Sequence, residues 1–450
     1  MRKTLKLGFV LLLGFSIILT AAEQRSHKRY FEPFIWKSSP PPNCPFPPSH
    51  EFAGLLFKGV HSEYHFADTW YPSWASDGNL YSPFTDGDVY GEVSDSNGYT
   101  FNKDGCLGAG DCSLRKATTG QAVMAGDDPL NLMVKSLGLT QADPYPYGGR
   151  YPCGSLVYND VWYYGTYTLA PHGITRFGPI DYNWPWLGPL VGFRVSTDMG
   201  KTWQETMHTP AKSLFGESGL WGYPIKIGAP HFVDFGKNME HSPDGKAYLV
   251  SMGASPADSK PRFANLSWIT ADQVYLLRVT PLIENINDAS KYEFYAGKIS
   301  QGQEQWTNDL SKARPLLEWN NNIGCVTVTY DAPLKKYLMC VTDGGNTCAR
   351  MNTYILEADR MTGPWRLVTY MKSFGEQAYF VNFPSKFISS DGKTAWLCYS
   401  ANFAPDWNNE KIQSNPPGSH YGLVLQEVEL LTPAAKQKWE LEKSKVLPGK

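Results

Sequence analysis

The chain has 450 residues, 42% hydrophobic, 14% aromatic and 19% charged, with 41 Lys+Arg against 43 Asp+Glu. No basic excess or run is present to neutralise phosphates, which excludes nucleic acid as a partner. The apolar content excludes disorder as the main state. The 15 Trp, 26 Tyr and 22 Phe stand beside 41 Gly and 33 Pro. Long helical bundles favour Leu, Ala, Glu and Lys, so this mix suits short twisted strands joined by tight turns.

In chain order, Arg2-Lys3, the apolar stretch Leu7 to Leu19 and Thr20-Ala21-Ala22 predict a secretory signal peptide over 1–22, with an uncleaved anchor as the alternative. No later stretch approaches the roughly 20 apolar residues of a membrane helix. A secreted or periplasmic chain with no membrane insertion after cleavage is therefore expected. Residues 23–50 form a Pro-rich lead-in, 51–431 the main domain, and 432–450 a tail of helical composition. The eight cysteines lack paired Cys-x2-Cys zinc spacing, so disulfides or free buried thiols are expected, with Cys106/Cys112 and Cys340/Cys348 each bracketing a short loop.

A strand, a tight turn and an aromatic-rich strand recur along the chain, with turns near 77, 160, 244, 334 and 391. Asp77-Gly78, Asn159-Asp160, Asp244-Gly245 and Asp391-Gly392 are hairpin turn signals. Between them lies a second hairpin per unit, as in Gly192 to Trp203, Thr353 to Val368 and Tyr421 to Leu430. Two hairpins make a four-stranded blade, so the expected fold is an all-β propeller. Five blades are counted, with seven the alternative, because the units are long enough to hide weak ones. The last unit supplies three strands, and Phe52 to Phe57 is expected to add the fourth and close the ring.

Ser196-x-Asp198-x-Gly200-x-Thr202-Trp203 resembles the Asp-box of sialidases, which implies a structural turn on the propeller rim. Gly363-Pro364-Trp365 after an Ile-Leu-Glu strand resembles five-bladed arabinanase- and xylosidase-type glycosidases. The general build and pocket composition also resemble secreted propeller lyases that cleave rhamnose–glucuronate linkages. By resemblance to the five-bladed glycosidases, Asp68 takes the place of the catalytic base at the start of the first blade. Their second-blade carboxylate is replaced here by Arg150-Tyr151.

The residues just before each inner strand should converge on the propeller axis. They are Asp68 and Trp70, Arg150 and Tyr151, His231 with Asp234, Asn238, Glu240 and His241, Asn320 to Asn322, and Glu376, Tyr379 and Asn382. Connecting loops add His172, Tyr182, Trp184 and Trp186. Aromatic rings can cover the C–H face of a sugar while Asn, Asp and Arg bond its hydroxyls, so a polysaccharide or oligosaccharide is the expected partner.

The leading reading is a polysaccharide lyase acting beside a uronate. Arg150 would neutralise the carboxylate, His231, His241 or Tyr379 would move protons, and Asp68 completes the catalytic set. Trp70, Tyr151, His172, Trp184, Trp186, Asn238, Asn322 and Asn382 form the expected binding set. The alternative is a glycoside hydrolase using Asp68 with Asp234 or Glu240. A non-catalytic glycan-binding propeller is the third reading. No cofactor motif is present. Asp86-Gly87-Asp88 offers oxygens to calcium, although a turn explains it more simply.

Overall fold

The computed structural model describes residues 30–62, 64–94, 118–141, 151–169, 173–175, 178–180, 187–217, 224–254, 271–299, 302–344, 350–401 and 414–446. The expected signal peptide lies outside them, and no described helix is long and apolar enough to cross a membrane. Five antiparallel sheets make a five-bladed propeller.

From the axis outward, blade one contains Ser73–Trp74, Leu80–Phe84, Thr118–Ala125 and Met133–Gln141. Blade two has Tyr151–Tyr158, Val161–Leu169 and Leu187–Ser196, with Gln204 bridged to Val195. Blade three runs Pro230–Phe232, Ala247–Gly253, Ala271–Val279, Glu293–Lys298 and Glu304–Thr307. Blade four has Val326–Asp331, Lys336–Asp343, Asn352–Ala358 and Arg366–Met371. Blade five takes Tyr379–Asn382, Thr394–Ser400 and Val424–Leu430 from the end of the chain. Leu55–His61 from near its start pairs with Val424–Leu430. The ring is therefore closed by the N-terminal strand, and Phe34–Ile35 adds one more strand outside it.

The inner hairpins turn on Asp-Gly as the sequence predicts. Asp77 accepts from the Asn79 amide and the Tyr81 hydroxyl, and Asp244 repeats the pattern with Lys246 and Tyr248. Gly78, Gly245 and Gly392 sit at φ 88, 73 and 74, where a side chain would strain the backbone. In blades three and five the inner strand starts earlier than the turn signals imply. The chain makes a short 3-10 turn at Lys237–Met239 or Ser385–Phe387 before reaching the second strand.

Innermost strands face an axis with no neighbour to pair, and side chains satisfy much of that edge. Thr327 and Thr329 hydroxyls donate to the Val381 and Phe383 carbonyls at 2.7 and 2.6 Å. The Val157 amide donates to Ser73 Oγ at 2.8 Å. The Asn382 amide reaches the Trp70 carbonyl at 3.3 Å. Polar inner strands therefore tie each of these blades to the next without an apolar plug.

Aromatic residues fill the space between blades. Trp162 meets Tyr81 at 5.4 Å and Trp203 at 5.3 Å, linking blades one and two. The turn before Trp203 is knit by Asp198, which accepts from the Ser196 and Thr202 hydroxyls and the Thr202 amide. Helix Pro433–Val446 starts at Thr432, whose hydroxyl accepts from the Ala435 amide. Its Trp439 packs against Ile35, Leu56 and Leu431.

No disulfide joins the described cysteines, so of the two expectations the free buried thiols hold among them. Cys44, Cys153, Cys325, Cys340 and Cys398 are free, and all but Cys44 are buried. Cys153, Cys340 and Cys398 are small apolar side chains on separate strands, and desolvation holds them and the buried Cys325 protonated. Cys106, Cys112 and Cys348 lie outside the described residues.

Candidate active site

The hairpin register of blade one places two carboxylates together. Asp77-Gly78 folds the strand back so that Asp68 bridges Thr85, with amide-to-carbonyl distances of 2.9 and 3.1 Å, and Asp86 follows at once. Asp68 is buried, and its carboxyl accepts the Tyr379 hydroxyl at 2.7 Å and the Thr69 hydroxyl at 2.8 Å. Asp86 is half-buried, with Tyr151 Oη 3.5 Å from its Oδ2 and the Tyr421 hydroxyl on its carbonyl at 2.6 Å. Blades one, two and five each contribute to this cluster.

Burial pushes the Asp68 carboxyl well above the usual carboxylate range, and the neighbouring Asp86 charge pushes the same way. Hydroxyls of Tyr379, Thr69 and Tyr421 pull it part of the way back. Two interacting acids of this kind release their protons as a pair, so a proton is retained where isolated aspartates would have lost both. The backbone here is also unusual. Thr69, Asp86 and Phe380 adopt φ 69, 52 and 55 without being glycine. Each such residue costs on the order of 1–3 kcal/mol, and such strain collects at functional sites.

Deeper along the axis, Tyr71, Gly154, His231, Thr327 and Asn382, one from each blade, line a cavity of about 30 Å³. That volume suits water rather than a sugar. His231 is buried with neither ring nitrogen bonded among the described residues, its ring 4.1 Å from that of Tyr71. Burial lowers its pKa to about 3, so it is neutral.

The remaining expected residues fall in several places. Tyr379 and Asn382 stand on the inner strand of blade five. The Asn382 amide is spent on Phe380 and Trp70 carbonyls. Asn322 is half-buried before the inner strand of blade four, its amide donating to the Asn320 carbonyl at 2.8 Å. Trp70 is corrected from a sugar platform to core: 1% exposed, it stacks on Phe84 and donates to the Ala67 carbonyl.

Asn238 and His241 are corrected too. They sit beyond the inner strand of blade three, at the hairpin-turn end of the ring, where Asn238 holds the Asn159 amide at 2.8 Å. Asp234 is engaged by Ser385 through both amide and hydroxyl at 2.7 Å, tying blade three to blade five. Glu240 is exposed beside His241. Arg150, His172, Tyr182, Trp184 and Trp186 lie outside the described residues.

Of the set expected for elimination, Tyr379 and Asp68 meet, while the two histidines lie apart from them. His231 is sealed in the shaft, and His241 is at the opposite end from Asp68. Sequence reasoning missed Asp86 as a partner of Asp68, along with Tyr421. Glu376, named from the sequence, is buried just before the inner strand of blade five at φ 60, and its Arg350 partner at 3.3 Å was not foreseen. A signal for Asp86 was present, because the Asp77-Gly78 turn folds the strand back to bring Asp68 opposite Thr85, the residue next to it. Asp88 accepts from the Gly91 amide at 2.8 Å, which makes it a turn former. Among the described residues no cluster of three or more His, Cys, Asp or Glu could hold a metal ion.

These features define a five-bladed β-propeller with a buried and a half-buried carboxylate side by side among tyrosines at the start of blade one. No protein-family model matches the chain, and no curated protein matches it. Solved structures of similar build include a putative hydrolase from Bacteroides ovatus, 13% identical, covering 91% of this chain and 96% of that one at a TM-score of 0.43. Zg3597, a family 117 glycoside hydrolase from Zobellia galactanivorans, is 12% identical over 86% and 92% of the two chains at 0.41. An alpha-L-arabinanase from Penicillium chrysogenum is 11% identical over 88% and 90% at 0.37. At this remoteness no residue role carries over from them.

Proposed function

We propose that this chain is an exported glycoside hydrolase acting on a polysaccharide or oligosaccharide. The reading rests on the Asp68–Asp86 pair. Glycoside hydrolysis needs a carboxylic acid to protonate the departing oxygen and a carboxylate to assist attack at the sugar carbon. An interacting pair in which Asp68 holds its proton above the usual carboxylate range places both forms in one site. Tyr379 and Thr69 orient Asp68, Tyr421 fixes the Asp86 backbone, and the half-exposed side of Asp86 is the approach for substrate.

The test is reducing-end release from a panel of plant and algal polysaccharides. Release without absorbance in the unsaturated-uronate band supports hydrolysis, whereas new absorbance would restore elimination. Binding without turnover would leave a lectin-like propeller. Asp68→Asn and Asp86→Asn should each lower kcat/KM by about 10²–10⁴-fold, the usual worth of a general acid or base. Full activity in either variant would remove the pair from the chemistry.

A further inference from the structure

At the outer edge of blade five, the chain around Phe34–Ile35 and helix Pro433–Val446 frame an open groove of about 540 Å³. Phe34, Trp36 and Trp439 line it, and none of the three is fully buried. Their rings are held from behind. Phe34 stacks on Phe57 at 5.2 Å, Trp36 sets its edge against Phe374 at 5.5 Å, and Trp439 leans on Ile35 and Leu56.

Lys37 and Lys372 stand exposed in the same groove. Neither ammonium has a hydrogen-bond or ion-pair partner among the described residues. Some other surface lysines do, as in Lys312 with Asp309 and Lys443 with Glu32. The edge strand is four ladder steps from the inner strand of blade five, or about 19 Å at the usual strand spacing. The groove is therefore separate from the axial opening.

Rigid, partly exposed aromatic rings suit the C–H faces of sugars, and they lose little side-chain freedom on binding. Two unpaired ammonium groups beside them add a demand for negative charge. We propose that this groove is a second, non-catalytic site for an anionic stretch of a glycan, its rings on Trp36 and Trp439 and its carboxylate or sulfate groups on Lys37 and Lys372. The purpose of such a site, holding the chain while the axial site works, rests on the glycosidase reading. Binding itself does not.

The test is migration of the full-length protein through native gels containing polygalacturonate, a sulfated galactan or neutral dextran. Wild type and Asp68→Asn should be retarded by an anionic gel and run freely in dextran, with the retardation fading as salt rises. The responsive gel identifies carboxylate or sulfate as the preferred group. The double variant Lys37→Glu/Lys372→Glu should bind about tenfold more weakly, the worth of two exposed ion pairs lost and reversed. Its reducing-end release from short oligosaccharides should be unchanged. Trp439→Ala, checked for folding by circular dichroism, should weaken retardation as well. Equal retardation of wild type and the double variant would overturn the proposal, as would free migration in both anionic gels. Absence of reducing-end release from every substrate would sink the glycosidase reading while leaving the gel result standing.

Discussion

Tyr379 and Asp68 come from blades five and one, yet a 2.7 Å hydrogen bond makes them one unit. The donated proton favours the ionised carboxylate and so opposes the burial that keeps Asp68 protonated. Tyr379→Phe removes that opposition, and the Asp68 carboxyl rises further. In a kcat/KM profile the limb set by the pair should then move toward alkaline pH, while circular dichroism stays native. A profile identical to wild type would mean that Asp68 does not titrate in the rate-determining chemistry. Trp70 carries a different lesson at this scale. Its indole donates to the Ala67 carbonyl and its ring is committed to Phe84, so closeness in sequence to Asp68 did not make it part of the site.

Hairpins are the next level, and Asp331 shows how one can carry a penalty. It ends the inner strand of blade four, accepting from the Leu334 amide at 3.1 Å, while its other oxygen is buried without a partner among the described residues. Burial, reinforced by Asp391 on the neighbouring turn, raises its pKa to about 7. An acid with a higher pKa folded than unfolded destabilises the fold as pH rises between the two values, here from about 4 to about 7. Asp331→Asn keeps an acceptor for Leu334 and removes the charge. Its urea midpoint should match wild type near pH 4 and exceed it at pH 8. An equal difference at both pH values would show that Asp331 does not titrate in this window.

Much of this level was legible in the sequence. Asp-Gly turns flanked by Tyr81 and Tyr248 marked the hairpins because turn chemistry is local. Inner strands in blades three and five were misplaced because the chain wanders between Phe232 and Ala247 and between Asn382 and Thr394, and no turn motif records such a detour. That displacement put Asn238 and His241 on the wrong end of the ring. That Asp86 lies beside Asp68 follows from the Asp68–Thr85 register, whereas the approach of Tyr379 and Tyr421 depends on how blade five meets blade one. Contacts between blades have no local signature.

For the whole molecule the seam in blade five decides stability. Leu55–His61 is the strand through which the start of the described chain completes that blade's inner four, and Phe57 within it is fully buried against Phe34 and Phe374. Phe57→Ala should cost about 4 kcal/mol in urea unfolding, typical of a large aromatic lost from a core. The buried Lys336 reinforces the same region, binding Asp359 at 2.6 Å as well as Glu51 from the start of the main domain. A loss near 1 kcal/mol for Phe57→Ala would mean that the seam is only loosely packed.

The seam also sets a timetable for biogenesis. Leu55 pairs with Leu430, so the earlier strand must wait for one synthesised about 375 residues later. At roughly 5–20 residues per second that wait lasts on the order of 20–75 seconds, with an apolar strand edge exposed throughout. Until Leu430 has emerged blade five keeps that edge open, long enough to aggregate if nothing shields it.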